Sequence, residues 1–173
     1  MGDTSEQDQR YSAAAAEFGP ALERLARGYE ANADKRRDLV QDIHFALWRS
    51  LAAFDGRCSL RTWIYRVAHN TATTHILKER RQRANGWIGL DEDWPSDGPG
   101  LEDTVHEQQA LARLTALIQR LHPQDRQIML LYLENVDASG IADITGLKAP
   151  NVATKIHRIK ALLSRQFHQG GRP

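Results

Sequence analysis

The sequence predicts an all-α protein made of two small helical domains. Three observations lead there: apolar residues recur every three or four positions, no run shows a sustained period of two, and a segment rich in Gly, Pro and acids separates two periodic halves. A chain of 173 residues accommodates two small domains, and 41% hydrophobic content is enough for packed cores. The expected division is a helical domain over 1–83, an acidic flexible linker over 84–102 and a second helical domain over 103–173.

A first helix is expected from near Tyr11 to Tyr29, with Phe18, Leu22, Leu25 and Ala26 on its apolar side. In the second, from about Asp34 to Ala53, Leu39, Ile43, Leu47 and Leu51 recur every fourth residue, widened by Val40, Ala46 and Phe54. Phe54-Asp55-Gly56-Arg57 breaks it. Ser59 can cap a third helix of about 25 residues, with Trp63, Ile64, Val67, Ala68 and Thr71 on one face and a basic run from Lys78 to Arg83 at its end. Gly86, Gly89, Pro95, Gly98, Pro99 and Gly100 then disfavour regular structure.

Thr104 and Glu107 have capping-box spacing and open a helix carrying Leu111, Leu114, Leu117, Ile118 and Leu121. Pro123 ends that helix and suits the first turn of the next, which carries Ile128, Leu130, Leu131 and Leu133. A short helix from Ser139 to Thr145 and a longer one from Pro150 to Phe167 complete a four-helix second domain.

Several function classes are excluded by what is missing. Cys58 is the only cysteine, so neither an internal disulfide nor a cysteine-cluster zinc site can form, and a bystander thiol is expected. The histidines show no HExxH or paired metal spacing; His69 and His75 lie on different sides of one helix. No glycine-rich phosphate loop and no GxSxG elbow occurs. We therefore expect no catalytic residues, no metal and no cofactor. No stretch approaches the roughly 20 apolar residues of a membrane span, and the polar start is unlike a signal sequence, so a cytoplasmic location without membrane insertion is expected.

The net charge of +1 conceals a division along the chain. Residues 1–83 carry 14 Lys and Arg against 11 acids, residues 84–108 none against 7, and residues 109–173 carry 9 against 4. Two basic segments thus flank an acidic one, a pattern suited to nucleic-acid phosphates.

The strongest local signal is SGIADITGLKAPNVATKIHRIK, Ser139 to Lys160. Ala142, Gly146 and Val152 stand at helix-turn-helix offsets: Ala142 permits close helix crossing, Gly146 can adopt the left-handed conformation and Val152 plugs the core, with Ile141, Ile144, Ile156 and Ile159 completing the apolar contact. Val152, Ile156, Ile159 and Leu163 share the buried face, so Asn151, Thr154, Lys155 and Arg158 face outward, able to bond base edges and phosphates in a major groove. No acid occurs between Lys148 and Arg172.

The third helix offers a second surface. His69, Asn70, His75, Lys78, Arg80, Arg81 and Arg83 crowd its C-terminal half, preceded by Arg57, Arg61 and Arg66. Cations at a helix C-terminus also favour the dipole, which accounts for Arg80 to Arg83 as well as a phosphate site does. Asn70 and Arg66 are mid-helix beside Trp63 and Tyr65, a combination suited to unstacked bases. Asn70 also reads as a structural amide tying down the loop from Asp55 to Leu60.

Two separated blocks carry a family resemblance. DLVQDIHFALWRSLAAFDGRCSLRTWIYRVAHN, Asp38 to Asn70, resembles the second sigma region of the extracytoplasmic-function group of bacterial sigma factors. LHPQDRQIMLLYLENVDASGIADITGLKAPNVATKIHRIK, Leu121 to Lys160, is similar to the fourth region with its helix-turn-helix. The resemblance covers roughly residues 11–167. It implies a three-helix region 2 domain and a four-helix region 4 domain in a non-catalytic initiation subunit of RNA polymerase.

On matching positions, it implies that Asp38, Gln41, Asp42, Phe45 and Trp48 dock on the clamp helices of the largest polymerase subunit, although Trp48 also reads as a core residue. Asp55, Arg57, Ser59, Arg66 and Asn70 would hold the melted downstream promoter element, and Lys78, Arg80, Arg81 and Arg83 the adjoining duplex phosphates. Asn151, Thr154, Lys155 and Arg158 would read the upstream element. The acidic linker resembles the segment that threads toward the polymerase active centre. Further partners implied are promoter DNA, the flap of the second-largest subunit and an anti-sigma factor. Gly140 stands where family members often carry Glu, Pro150 where the turn is often Gly, and Ala153 where a basic residue is common. A stand-alone helix-turn-helix regulator using residues 109–173 is the alternative reading.

The composition of residues 84–102 generates a first test. Limited proteolysis should cut there and release two folded helical fragments; one protected core across that stretch in the free protein would contradict the two-domain expectation.

Overall fold

The computed structural model describes residues 2–80, 87–90 and 107–169, which include seven α-helices and no strand. They are α1 (Gly2–Tyr29), α2 (Ala33–Leu51), α3 (Leu60–Arg80), α4 (Glu107–Ile118), α5 (Pro123–Leu133), α6 (Ala138–Thr145) and α7 (Ala149–Gln169). The chain divides into two compact units, one containing α1–α3 and the other containing α4, α5 and α7.

In the first unit α2 packs against both α1 and α3. Phe18, Leu22, Leu25 and Ala26 of α1, Leu39, Ile43, Leu47 and Leu51 of α2, and Ile64, Ala68, Ala72 and Ile76 of α3 are all buried. Asn32 caps α2, accepting from the amides of Asp34 and Lys35 at 3.0 Å. Ser59 caps α3 as expected: its Oγ accepts from Thr62 N at 3.1 Å.

Two expectations for this unit change. α1 begins at Gly2 rather than near Tyr11, because no breaker interrupts its first turns; Glu6 and Arg10 pair along it at 2.6 Å, and Gln7, Asp8 and Tyr11 find partners on α2. The buried face of α3 is also turned from the expected one. Tyr65 and His69 are buried while Trp63, Val67 and Thr71 are only half-buried, since α3 meets α1 as well as α2. Phe18 meets Tyr65 edge-on at 6.3 Å.

His69 is 1% exposed, with Nδ1 2.8 Å from the Tyr29 hydroxyl. Burial pushes its pKa down to about 3, so the ring is neutral at physiological pH and leaves the basic set assigned to this helix. His75 is likewise turned inward, Nε2 lying 2.9 Å from the buried Glu30, which also accepts from Asn32 N.

In the second unit α7 packs on α4 and α5. Leu117, Ile118, Leu121, Ile128, Leu131, Val152, Ile159, Leu162 and Leu163 form its core. Arg126, 2% exposed, donates to the carbonyls of Gln119 and Leu121 and so satisfies acceptors left by the end of α4. Asp125, beside it, is paired with Lys155 of α7 at 2.6 Å.

Asp137 Oδ1 accepts from Gly140 N at 2.7 Å, a cap that starts α6 one residue earlier than the expected Ser139. A Cβ on Gly140 would stand 2.8 Å from Val136 Cγ1 and 3.0 Å from that same Asp137 oxygen. Part of the expected linker is also engaged. Ile88 N donates to Arg120 O at 3.0 Å in an isolated bridge to Leu121, and the Trp87 ring lies edge-on to His122 at 6.3 Å. Trp87, Ile88 and Leu90 form an apolar island in an otherwise polar stretch, which favours this attachment. The proposed capping residue Thr104 lies outside the described residues.

The neutral His69 predicts a pH dependence of stability. Its folded pKa lies below the unfolded value of 6.5, so this contribution is intact above 6.5 and is lost as pH falls toward 3. Stability should decline by at most about 1.4 kcal/mol per pH unit below that value, and His69→Gln should flatten the chemical-unfolding midpoint between about pH 6.5 and 5. An unchanged slope in the variant would refute the assignment.

Candidate nucleic-acid interface

The orientation of α7 follows from the residues it buries. Val152 and Ile159 are 0% exposed, and Ile141 and Ile144 of α6 are buried too. Gly146 between these helices has φ +78, and nothing lies within 4 Å of where its Cβ would stand, so the requirement there is conformational rather than steric. Asn151, Thr154 and Arg158 are consequently exposed along one side, with Thr154 Oγ1 donating to Pro150 O at 3.0 Å.

Lys155 departs from this set. Its Nζ is directed to Asp125, whose carboxylate is largely buried at the start of α5 and needs a cation close by. Lys155 is therefore a half-buried structural partner rather than an outward contact. The next lysine, Lys160, also points back, 5.1 Å above the Tyr132 ring.

On α3, Asn70 is exposed and its side chain makes no hydrogen bond among the described residues, so it does not tie down the preceding loop. Lys78 and Arg80 are exposed and Arg66 is half-buried. Arg81 and Arg83 lie outside the described residues. In the loop, Gly56 has φ +77, and Asp55 accepts from Arg57 N at 3.2 Å while its other oxygen pairs with Arg57 Nε at 2.7 Å. Ser59 spends its hydroxyl on the α3 cap and on a 2.9 Å bond to Thr62 Oγ1, which narrows its freedom to meet a base.

A third surface lies on α2. Asp38, Gln41, Asp42 and Phe45 are exposed on one side, Phe45 at 60%. Trp48 is half-buried at the rim of the unit rather than in its core; its ring stacks on Phe45 at 6.4 Å and 19°, and the Arg49 guanidinium lies 5.7 Å from the Phe45 centroid.

The helical periodicity of the second half also hid a feature. Leu111 and Leu133, expected in the core, are 60% and 47% exposed. With Leu114, Met129, Leu163 and Phe167 they line an apolar groove of about 540 Å³ between α4, α5 and α7. An apolar stripe wider than one neighbouring helix can cover was the available signal.

Comparison with known proteins follows the same division. The Sigma-70 region 2 family model matches residues 15–82, and the Sigma-70, region 4 model matches residues 111–163. The RNA polymerase sigma factor NccH of Alcaligenes xylosoxydans xylosoxydans is 28% identical over 151 residues, 84% of this chain and 80% of that protein. The RNA polymerase sigma factor CnrH of Cupriavidus metallidurans is 28% identical over 157 residues, 86% and 82% of the two chains. The sigma factor RpoE from Bartonella quintana, solved in complex with the anti-sigma factor NepR, has a TM-score of 0.69 to this structure at 18% identity, covering 92% of this chain and 98% of that one. That last likeness is one of fold. With both sigma-70 regions present in order and matched across most of the helical chain, and with relatives that include the ECF RNA polymerase sigma factor RpoE of Cereibacter sphaeroides, 27% identical over 156 residues, the protein belongs to the sigma-70 family as an RNA polymerase sigma factor of the extracytoplasmic-function group, acting in transcription initiation.

Proposed function

We propose that the three exposed surfaces divide the work of initiation. α7 reads an upstream promoter element in the major groove through Asn151, Thr154 and Arg158; the exposed side of α3 around Asn70 holds a base of the melted downstream element, with Lys78 and Arg80 on neighbouring phosphates; and α2 docks on the clamp helices of the largest polymerase subunit through Asp38, Gln41, Asp42, Phe45 and Trp48. The observation that carries this reading is the geometry of α7, whose buried Val152 and Ile159 leave an amide, a hydroxyl and a guanidinium exposed.

The apolar groove of the second unit takes the flap of the second-largest subunit, and an anti-sigma factor competes for the protein; NepR plays the anti-sigma part for the Bartonella quintana relative. The protein supplies binding energy and no covalent chemistry, the phosphodiester bond being made by the core enzyme. Melting is driven by capture of the exposed strand, without a cofactor. None of the described helices is long and apolar enough to cross a membrane, and we place the protein in the cytoplasm with its polymerase.

The neighbouring cations Arg158 and Lys155 should behave differently. Arg158→Ala should weaken binding to upstream promoter DNA by about 1–3 kcal/mol while leaving core association intact. Lys155→Ala should instead destabilise the second unit by about 2 kcal/mol, since Asp125 is left buried without its partner while the lysine itself is partly exposed. Equal promoter affinity in the Arg158 variant and the parent would remove α7 as the reading helix.

Asn70 supplies a test of melting. Asn70→Ala should keep its thermal stability and its affinity for core polymerase, yet initiate poorly on duplex promoters. A template supplied already melted should restore activity only in part, because the lost contact is to the single strand. Normal run-off transcription from duplex DNA would disprove the placement of the melting surface on α3.

A further inference from the structure

The first turns of α1 make a set of contacts that the region 2 match, which starts at residue 15, does not reach. Trp48 Nε1 donates to Asp8 Oδ1 at 2.8 Å, and Gln7 Nε2 donates to the main-chain oxygen of Trp48 at 2.6 Å. One turn further along α1, the Tyr11 hydroxyl lies 2.9 Å from His44 Nδ1, the rings meeting edge-on at 5.9 Å. All these partners fall on α2, next to the exposed Phe45.

We propose that this segment is a positioning strap: Asp8 fixes the Trp48 indole while Gln7 ties α1 to the main chain of the same residue, and the fixed indole holds Phe45 as a rigid anchor for the polymerase. The proposal rests on the reading that α2 is the docking helix. A phenylalanine 60% exposed on a helix surface would ordinarily have rotamers to lose on binding, and that ordering cost weakens an interface. Here the ring is stacked on Trp48, with the Arg49 guanidinium also over it.

Trp48 is only half-buried, so packing alone does not set its plane. The hydrogen bond from its N–H to the Asp8 side-chain oxygen does. Gln7 adds a second tie to the same residue through its carbonyl. Asp38 and Asp42, exposed on the same helix, specify the partner: an apolar depression for one aromatic ring, bordered by basic side chains.

The test uses the full chain and core polymerase, with affinity and thermal midpoint measured for each variant. Asp8→Ala should weaken core binding about fivefold without lowering the midpoint, and Asp8→Asn, whose amide oxygen accepts the same bond, should stay within about twofold of the parent. Trp48→Phe keeps a ring to stack but loses the N–H, and should reproduce the Asp8→Ala effect without adding to it. In a Phe45→Ala background Asp8→Ala should cost nothing more, since the strap acts through that ring. Additive losses, a lowered midpoint for Asp8→Ala, or binding by Asp8→Ala equal to or tighter than the parent would each overturn the strap while leaving α2 as the docking helix. If Phe45→Ala binds core polymerase like the parent, the docking assignment itself fails.

Discussion

Rotation of each helix about its own axis is the constraint on which the rest depends. A helix has one apolar stripe, and once that stripe is buried every other side chain has a fixed direction. In α7 the stripe runs through Val152, Ile159, Leu162 and Leu163, and the exposed side is whatever remains. The same holds for α2, where the burial of Leu39, Ile43, Leu47 and Leu51 leaves the acids and Phe45 outside. The proposed promoter and polymerase surfaces are thus complements of two cores, and a change that rotates either helix would move a whole surface at once.

Polar side chains inside the units refine that picture. Arg126 closes the end of α4, Glu30 holds His75, and Asp125 holds Lys155. Each arrangement removes a charge or a ring from the exterior, which leaves fewer candidates for contact with nucleic acid than the residue types suggest. The burial of His69 against Tyr29 does the same on α3. What stays exposed there is Asn70, followed by cations toward the helix end.

Much of this was legible in the sequence, and the failures have physical causes. The fourfold spacing in α2, the glycine before α7 and the serine before α3 are local signals, and local geometry honours them. Lys155 and Arg158 cannot be told apart by spacing, because their difference lies in Asp125, thirty residues away. The position of His69 escapes spacing for the same reason: a residue on the margin of a stripe is buried or exposed according to which second helix arrives. The early turns of α1 carry little apolar character to mark them, yet side-chain hydrogen bonds to α2 give them a place. Leu111 and Leu133 look like core by type and are not covered by any helix of their own unit.

The close approach at Gly140 bears on how such helix-turn-helix units exchange residues. Any side chain there would press on Val136 and on the oxygen of Asp137 that starts α6. The position is therefore epistatic with its predecessors. A larger residue could enter only after Val136 had become smaller or the cap had moved, so a graft from a relative would need the whole Val136 to Gly140 turn transferred as one block.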